Sequence, residues 1–356
     1  AVAEGDRRAD QPTAAQDVSR RERWRAGDPT GVDAQEHRAA EVGAVDRRVG
    51  QPGVLQAGVG QVGAVEVNLR PTDQTPAELP ALVNEDVTVF LGQSERMPHH
   101  RVFGGQVLAQ GVIACGRTIT LEPGAPPRPI HSLHAYFMRP GDDEAPIHFA
   151  VERMRDGASF STRRMHAIQH GKPILAMSAS FQEVAGGLDH QDEMPTVPAP
   201  EDLPSMTDLF GGINEPRAQD LANRRPIDMR HNDGHLFFAP AEERTAEQSV
   251  WMRTKGALPD DPLIHAAVLA YSSDYSLLEP VLRRHGLVWP DARLRIASLD
   301  HAMWFHRQAR ADDWVLYAQQ SPSAQSGRGL AIGRMFGRDG TMIATVAQEG
   351  MIRVKE

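Results

Sequence analysis

The stretch Arg293–Arg307, RLRIASLDHAMWFHR, decides the fold. Its first thirteen residues read as one long strand with Ser298 near the middle. Before it lies PDDPLIHAAVLAYSSDYSLLEPVLRR, a helical pattern that carries Asp274. After it come WVLYAQQSP, GRGLAIGRMFG and TMIATVAQEGMIR, three strand patterns, the last carrying Gln348, with turn signals at RADD, SAQSG and RDG. QSVWMRT, ahead of the helix, is a further strand. A helix followed by an antiparallel meander is an α+β pattern.

The same unit occurs earlier in the chain. PAELPALVNEDVTVFLG reads as a short helix followed by a short strand, and RVFGGQVLAQGVIACGRTI reads as a helix opened by Gly104 and Gly105. The runs HSLHAYFMR, APIHFAVERM, SFSTRRMHAIQH and PILAMSASFQE read as strands. Val107-Leu108-Ala109 recurs as Val268-Leu269-Ala270, and Tyr136-Phe137-x-Arg139 as Trp304-Phe305-x-Arg307. Gln182-Glu183 recurs as Gln348-Glu349. Near-constant offsets over a whole helix-plus-meander unit mean an internal duplication. Two copies of one unit are expected to join as one pseudo-twofold body.

Between the copies, residues 186–243 are rich in Pro and acid and poor in periodicity, and read as a linker on which LFF can dock. Residues 1–75 mix Arg with Asp and Glu, then turn Gly/Val/Gln-rich, without Phe, Tyr, Ile or Met. Such a stretch buries too little to offset ordering entropy, about 1–2 kcal/mol per residue. It is expected to be a disordered extension or a non-native one from a mis-set reading start, since the first Met is Met97. GVGQVG (Gly58, Gly60, Gly63) is preceded by a Pro/Gly-rich run and followed by β-like AVEV, not by the strand before and helix after that a dinucleotide fingerprint needs. The expected division is therefore 1–75, repeat 76–185, linker 186–243 and repeat 244–356.

The 356 residues carry a formal charge of −9, which argues against a general grip on nucleic acid or anionic membrane. No apolar run of about 18 residues is present, so membrane insertion is not expected, and the cytoplasm is the expected location. The single cysteine, Cys115, excludes an internal disulfide and reads as a small buried hydrophobe. His131 and His134 are three residues apart on one strand and cannot share a face, so they read as strand residues rather than metal ligands. No G-x-S-x-G elbow, H-E-x-x-H or Walker pattern occurs.

Several segments, taken in order, resemble the acyl-CoA thioesterase II family. They are RVFGGQVLAQ, HSLHAYFMRPGD, RDGASFSTRR, IQHGKPI, ASLDHAMWFHR, SPSAQSGRG and VAQEGMIR, and the resemblance runs from about Pro76 to Arg353. It implies a double hot-dog fold, in which each half wraps an antiparallel sheet around a helix. It implies hydrolysis of fatty acyl-CoA to free acid and coenzyme A, with no metal or organic cofactor. It further implies a homo-oligomer associating through its sheets.

The resemblance also implies a catalytic set of carboxylate, hydroxyl and carboxamide holding the attacking water. Those roles fall on Asp274, Ser298 and Gln348, Ser standing where some members have Thr. Asp300, two residues from Ser298 and so expected on the same strand face, is the nearest rival carboxylate. The first repeat keeps Gln182 but has no Asp matching Asp274, so one competent site per chain is expected. Gly105, at a helix start, is a candidate donor to a developing oxyanion. A hot-dog hydratase or dehydratase would instead call for a His/Asp pair at a helix start. A silent acyl-CoA-binding protein would not keep all three groups.

Overall fold

In the computed structural model, residues 69–72, 87–97 and 100–355 are described, and all lie in the compact unit Val59–Glu356. GVGQVG, nearly all of 1–75 and the short helix expected in PAELPALVNE fall outside the described residues. Leu69–Pro71, inside the stretch expected to be disordered or non-native, is a short edge strand (β1) on Phe90–Gly92.

The first half continues with β2 (Val87–Gly92), α1 (Gly104–Arg117), β3 (Ile130–Phe137), β4 (Ile147–Asp156), β5 (Phe160–Gln169) and β6 (Lys172–Gln182). The middle segment holds α2 (Met206–Phe210), α3 (Pro216–Gln219), a π turn at Asp220–Arg224 and β7 (Ile227–His231). The second half holds β8 (Glu247–Thr254), α4 (Pro262–Ser273), α5 (Glu279–His285), β9 (Leu294–Ser298), β10 (Asp300–Phe305), β11 (Val315–Gln325), β12 (Arg328–Gly337) and β13 (Met342–Val354).

Thirteen strands form one antiparallel sheet in the order β1-β2-β4-β5-β6-β3-β10-β13-β12-β11-β8-β7, with β9 paired to β13. Read from either end, the order is the same once β1 is matched to β7 and β2 to β8. At the centre, β3 pairs with β10, and His134 faces Ala302. These two residues are 168 apart, the offset of the Tyr136/Trp304 repeat, so each central strand pairs with its own counterpart across the pseudo-dyad. α1 and α4 pack antiparallel inside the sheet, with Gly105 against Tyr271 at one end and Gly116 against Leu263 at the other. Every residue of α1 from Gly105 to Cys115 is buried; all but two are apolar or small, and those two, Gln106 and Gln110, each donate Nε2 to Gln93 O (2.8 Å).

Three expectations are corrected. RLRIASLDHAMWF is two strands, not one. Ser298 faces Gly350 while Ala302 faces Ala347, so one extra residue, Leu299, bulges out of the ladder. Its N–H donates to Glu349 O (2.9 Å), and its carbonyl accepts from Phe137 N (2.9 Å). The helical run after Pro262 is also split, at Asp274–Leu278. Pro280 has no N–H and would clash with the carbonyl of Ser276 if the helix ran on. That carbonyl instead accepts from Glu279 N (2.9 Å) and starts α5.

The stretch read as a linker is the third. Beyond about residue 200 it is folded: β7 joins the sheet on β8, and Met206, Phe210 and Leu221 are buried. Leu236 and Phe237 dock as LFF suggested, while Phe238 stays 45% exposed. No described helix is long and apolar enough to cross a membrane.

Candidate active site

Asp274 closes α4, in the tilted backbone position where the helix gives way. Its carboxylate meets the first turn of α1, whose cap residue Phe103 offers no side-chain acceptor. The orphan N–H of Gly105 there stabilises the Asp274 carboxylate, and the helix dipole favours the negative charge as well. Both glycines are needed for this approach. A Cβ on Gly104 would lie 2.7 Å from Asp274 Oδ2, and one on Gly105 would lie 2.4 Å from the Tyr271 carbonyl oxygen. The Gly105 N–H, which the sequence suggested as an oxyanion donor, thus faces the carboxylate and stabilises its charge.

Ser298 ends β9 at the bulge, and Gln348 lies in β13. Gln348 Nε2 donates to Asp274 Oδ1 (3.0 Å) and to Ser298 Oγ (2.9 Å), and Ser298 Oγ lies 3.4 Å from Asp274 Oδ1. The fold thus brings together the three groups singled out by resemblance. Burial pushes the Asp274 carboxyl up to about 6, although donation from Gln348, Gly105 and Ser298 opposes the rise.

The sequence reading missed His301. It is fully buried; its Nδ1 bonds Gln348 Oε1 and its Nε2 lies 2.9 Å from Ser273 Oγ. Burial lowers its pKa to about 4, so the ring is neutral near pH 7. Simple alternation from Ser298 would aim Asp300 at the site. The Leu299 bulge reverses the alternation, so His301 shares the face of Ser298. Asp300 Oδ1 instead accepts from the backbone N–H of Glu349 (2.7 Å).

Asp274, Ser298 and Gln348 line a cavity of about 760 Å³, a volume typical of small-molecule sites. Phe103, Phe137, Leu175, Tyr271, Leu278 and Ile296 give it apolar walls. Its solvent end carries Arg96, Arg101, Arg139, Arg217, Arg224 and Arg225, against few acids, in a chain that is acidic overall. Arg225 stacks over Tyr275 (5.0 Å to the ring centre), and burial followed by its repulsion lowers the pKa of Arg217. Arg217–Pro226 and Phe237 come from the middle segment, so the cavity has walls from both halves and from the connection.

The first half does not repeat the site. Against the central pair His134/Ala302, β6 places Ser178 and β13 places Ala347. The counterpart of Gln348 is therefore Ala179, and the match with Gln182 was three residues out of register. The counterpart of Ser298 is Ile130, and that of Asp274, by the helix offset, is Ile113. All three are apolar and buried.

Cys115 is buried, and desolvation pushes its thiol up to about 12. His131 bonds Ser180 Oγ (2.8 Å) and His134 packs edge-on against Trp304; a register shift between Ile130 and Ser132 brings both to the outer face of the sheet, against the alternation expected of three residues on one strand. Among the described residues one group has metal-ligand spacing, His100, Asp143 and Glu144. Asp143 and Glu144 are not among the residues that line the cavity, and Glu144 is paired with Arg96.

Residues 230–351 match the family model described as acyl-CoA thioesterase, and residues 93–182 match that described as acyl-CoA thioesterase N-terminal domain. Acyl-coenzyme A thioesterase 8 of Homo sapiens is 38% identical over 76% of this chain and 86% of its own length. Acyl-CoA thioesterase 2 of Haemophilus influenzae is 38% identical over 76% of this chain and 94% of its own. The crystal structure of acyl-CoA thioesterase II TesB2 from Mycobacterium marinum superposes with a TM-score of 0.64 at 38% identity, covering 83% of this chain and 99% of that one. A protein from Alicyclobacillus acidocaldarius described as having a hot dog fold superposes at 0.61 with 20% identity, a likeness of fold, over 77% of this chain and 96% of that one. The chain belongs to the acyl-CoA thioesterase II family and has its double hot-dog fold.

Proposed function

We propose that this protein hydrolyses fatty acyl-CoA thioesters by direct attack of water, with Asp274 as general base and Ser298 and Gln348 as the groups that hold the water. The observation that carries this reading is the convergence of a carboxylate, a hydroxyl and a carboxamide within 3.4 Å of one another in the wall of one cavity. Asp274 takes a proton from the water as its oxygen bonds to the thioester carbonyl carbon. Collapse of the tetrahedral adduct breaks the C–S bond, and the departing thiolate recovers the proton from Asp274. General-base assistance of this kind contributes about 10²–10⁴-fold. Gln348, whose two N–H groups go to Asp274 and Ser298, holds the water by fixing the base and the hydroxyl that meet it, and that alignment adds an entropic gain.

The arginines at the solvent end suit the phosphates of coenzyme A, and the apolar walls suit the acyl chain. A hydratase reading finds no support in His301, which is packed behind Gln348 and does not line the cavity. The test is thiol release from a panel of acyl-CoAs, followed with a thiol reagent. Release supports hydrolysis, whereas water addition to an enoyl-CoA without thiol release, or binding alone, contradicts it. The same reading takes residues 76–185 and 244–356 as the two repeats. It also takes the protein as a cytoplasmic homo-oligomer, which light scattering on the purified chain would check.

A further inference from the structure

Gln348 has a carboxamide whose two ends differ in chemistry but not in shape. Nε2 must face Asp274 and Ser298; turned over, the amide would place Oε1 there instead. While Asp274 is ionised, its charge opposes the turned form. Once Asp274 has taken the proton from water, that opposition ends, because a neutral carboxyl can donate to Oε1. The amide would then hold Asp274 in its protonated form and delay return of the proton to the leaving thiolate.

We infer that His301 is a positioning residue, whose Nδ1–H holds Gln348 Oε1 and keeps Nε2 aimed at Asp274 and Ser298 throughout the catalytic cycle. The observations are the His301 Nδ1 bond to Gln348 Oε1, the 2.9 Å approach of Ser273 Oγ to the opposite ring nitrogen, and the full burial of the ring. A neutral ring with its proton on Nδ1 donates to Oε1 and leaves Nε2 to accept from the Ser273 hydroxyl, whose single proton then points to the ring rather than to the Ala270 carbonyl 2.8 Å away. No water competes for a ring so enclosed. Around Asp274 the titratable neighbours on packed elements are Tyr317 on β11, buried and itself raised, and Tyr271 and Tyr275 on its own helix and turn. Around His301, Gln348 is the one side chain that shifts its titration.

The inference rests on the hydrolysis reading, and wild-type thiol release tests that reading first. With wild-type turnover in hand, His301→Leu is expected to lower kcat about 10–100-fold with KM within about threefold. Its acid limb is expected to move to higher pH, because the turned amide stabilises neutral Asp274. His301→Asn, whose amide N–H can reach the position of Nδ1–H, is expected to recover most of kcat and return the acid limb. Adding His301→Leu to Gln348→Ala should cost little more than Gln348→Ala alone, since the ring acts through that amide. Additive losses, or an unmoved acid limb with kcat within threefold of wild type, overturn the inference. If the Leu variant does not fold, the tautomer decides: ¹⁵N spectra of histidine-labelled wild-type protein at pH 7 are expected to show a neutral Nδ1–H ring, and an Nε2–H ring or an imidazolium contradicts it.

Discussion

Gly104, in the first turn of α1, lies so close to Asp274 at the end of α4 that a Cβ on it would sit 2.7 Å from Oδ2, and the neighbouring Gly105 N–H stabilises the charge of that carboxylate. The two residues belong to different halves of the duplicated chain. The candidate base is therefore held by the helix of one repeat and carried on the helix of the other. Its partners Ser298 and Gln348 come from neighbouring strands of the second repeat, paired across the bulge at Leu299.

This approach makes the glycines sensitive positions. In Gly105→Ala the new methyl would lie 2.4 Å from a backbone oxygen of Tyr271, which cannot swing aside. Thermal or denaturant unfolding is expected to show a loss of about 1–3 kcal/mol, despite the better helix propensity of Ala. In Gly104→Ala the methyl meets Asp274 Oδ2, a side-chain atom that can move. That variant is expected to lose turnover more than stability, and kcat set beside the unfolding midpoint separates the two.

The raised titration of Asp274 sets a pH profile. A base works only when ionised, so log(kcat/KM) is expected to be flat above about pH 6 and to fall with unit slope below it. The same shift bears on stability. The folded pKa lies above the usual 3.8, so the stability this group contributes is fully present below about pH 4 and lost as pH rises through about 6. Asp274→Asn is therefore expected to be more stable than wild type at pH 8, by about 1–3 kcal/mol, and no more stable at pH 3.5. Unfolding at the two pH values checks it.

The arginine rim separates the nucleotide from the acyl group. Arg217→Ala and Arg225→Ala are each expected to raise KM for acyl-CoA about three- to tenfold, since one exposed charge pair is worth roughly 1 kcal/mol. KM for the matching acyl-pantetheine, which has no phosphates, is expected to stay within twofold. The acyl-CoA effect is expected to shrink with added salt.

Register places Ala179, not Gln182, opposite Gln348 across the pseudo-dyad. Gln182→Ala is accordingly expected to leave kcat and KM within about twofold of wild type. A large loss would show that the first half contributes a second polar site.

Much of this was legible in the chain because strand pairing writes itself as alternation and duplication writes itself as offset. The helix at Gly104, the four strands after it and their repeat after Glu247 follow from those signals. Asp274, Ser298 and Gln348 were reached through the family resemblance, not through any spacing. What escaped reading are irregularities of one residue. The Leu299 bulge does not change local composition, yet it turns Asp300 away and His301 inward. The frame slip between Gln182 and Ala179 likewise hides in a repeated Gln-Glu pair. The middle segment was misread because its short helices and β7 are held by tertiary contacts, with buried Phe210, Leu221 and Phe237, rather than by periodicity.

Thiol release from a saturating long-chain acyl-CoA, measured side by side for wild type and a folded Asp274→Asn, tests the water-activating carboxylate most directly. A fall in kcat of about a hundredfold or more, with KM little changed, is the expected result. Turnover within a few-fold of wild type would contradict it and leave the cavity without its base.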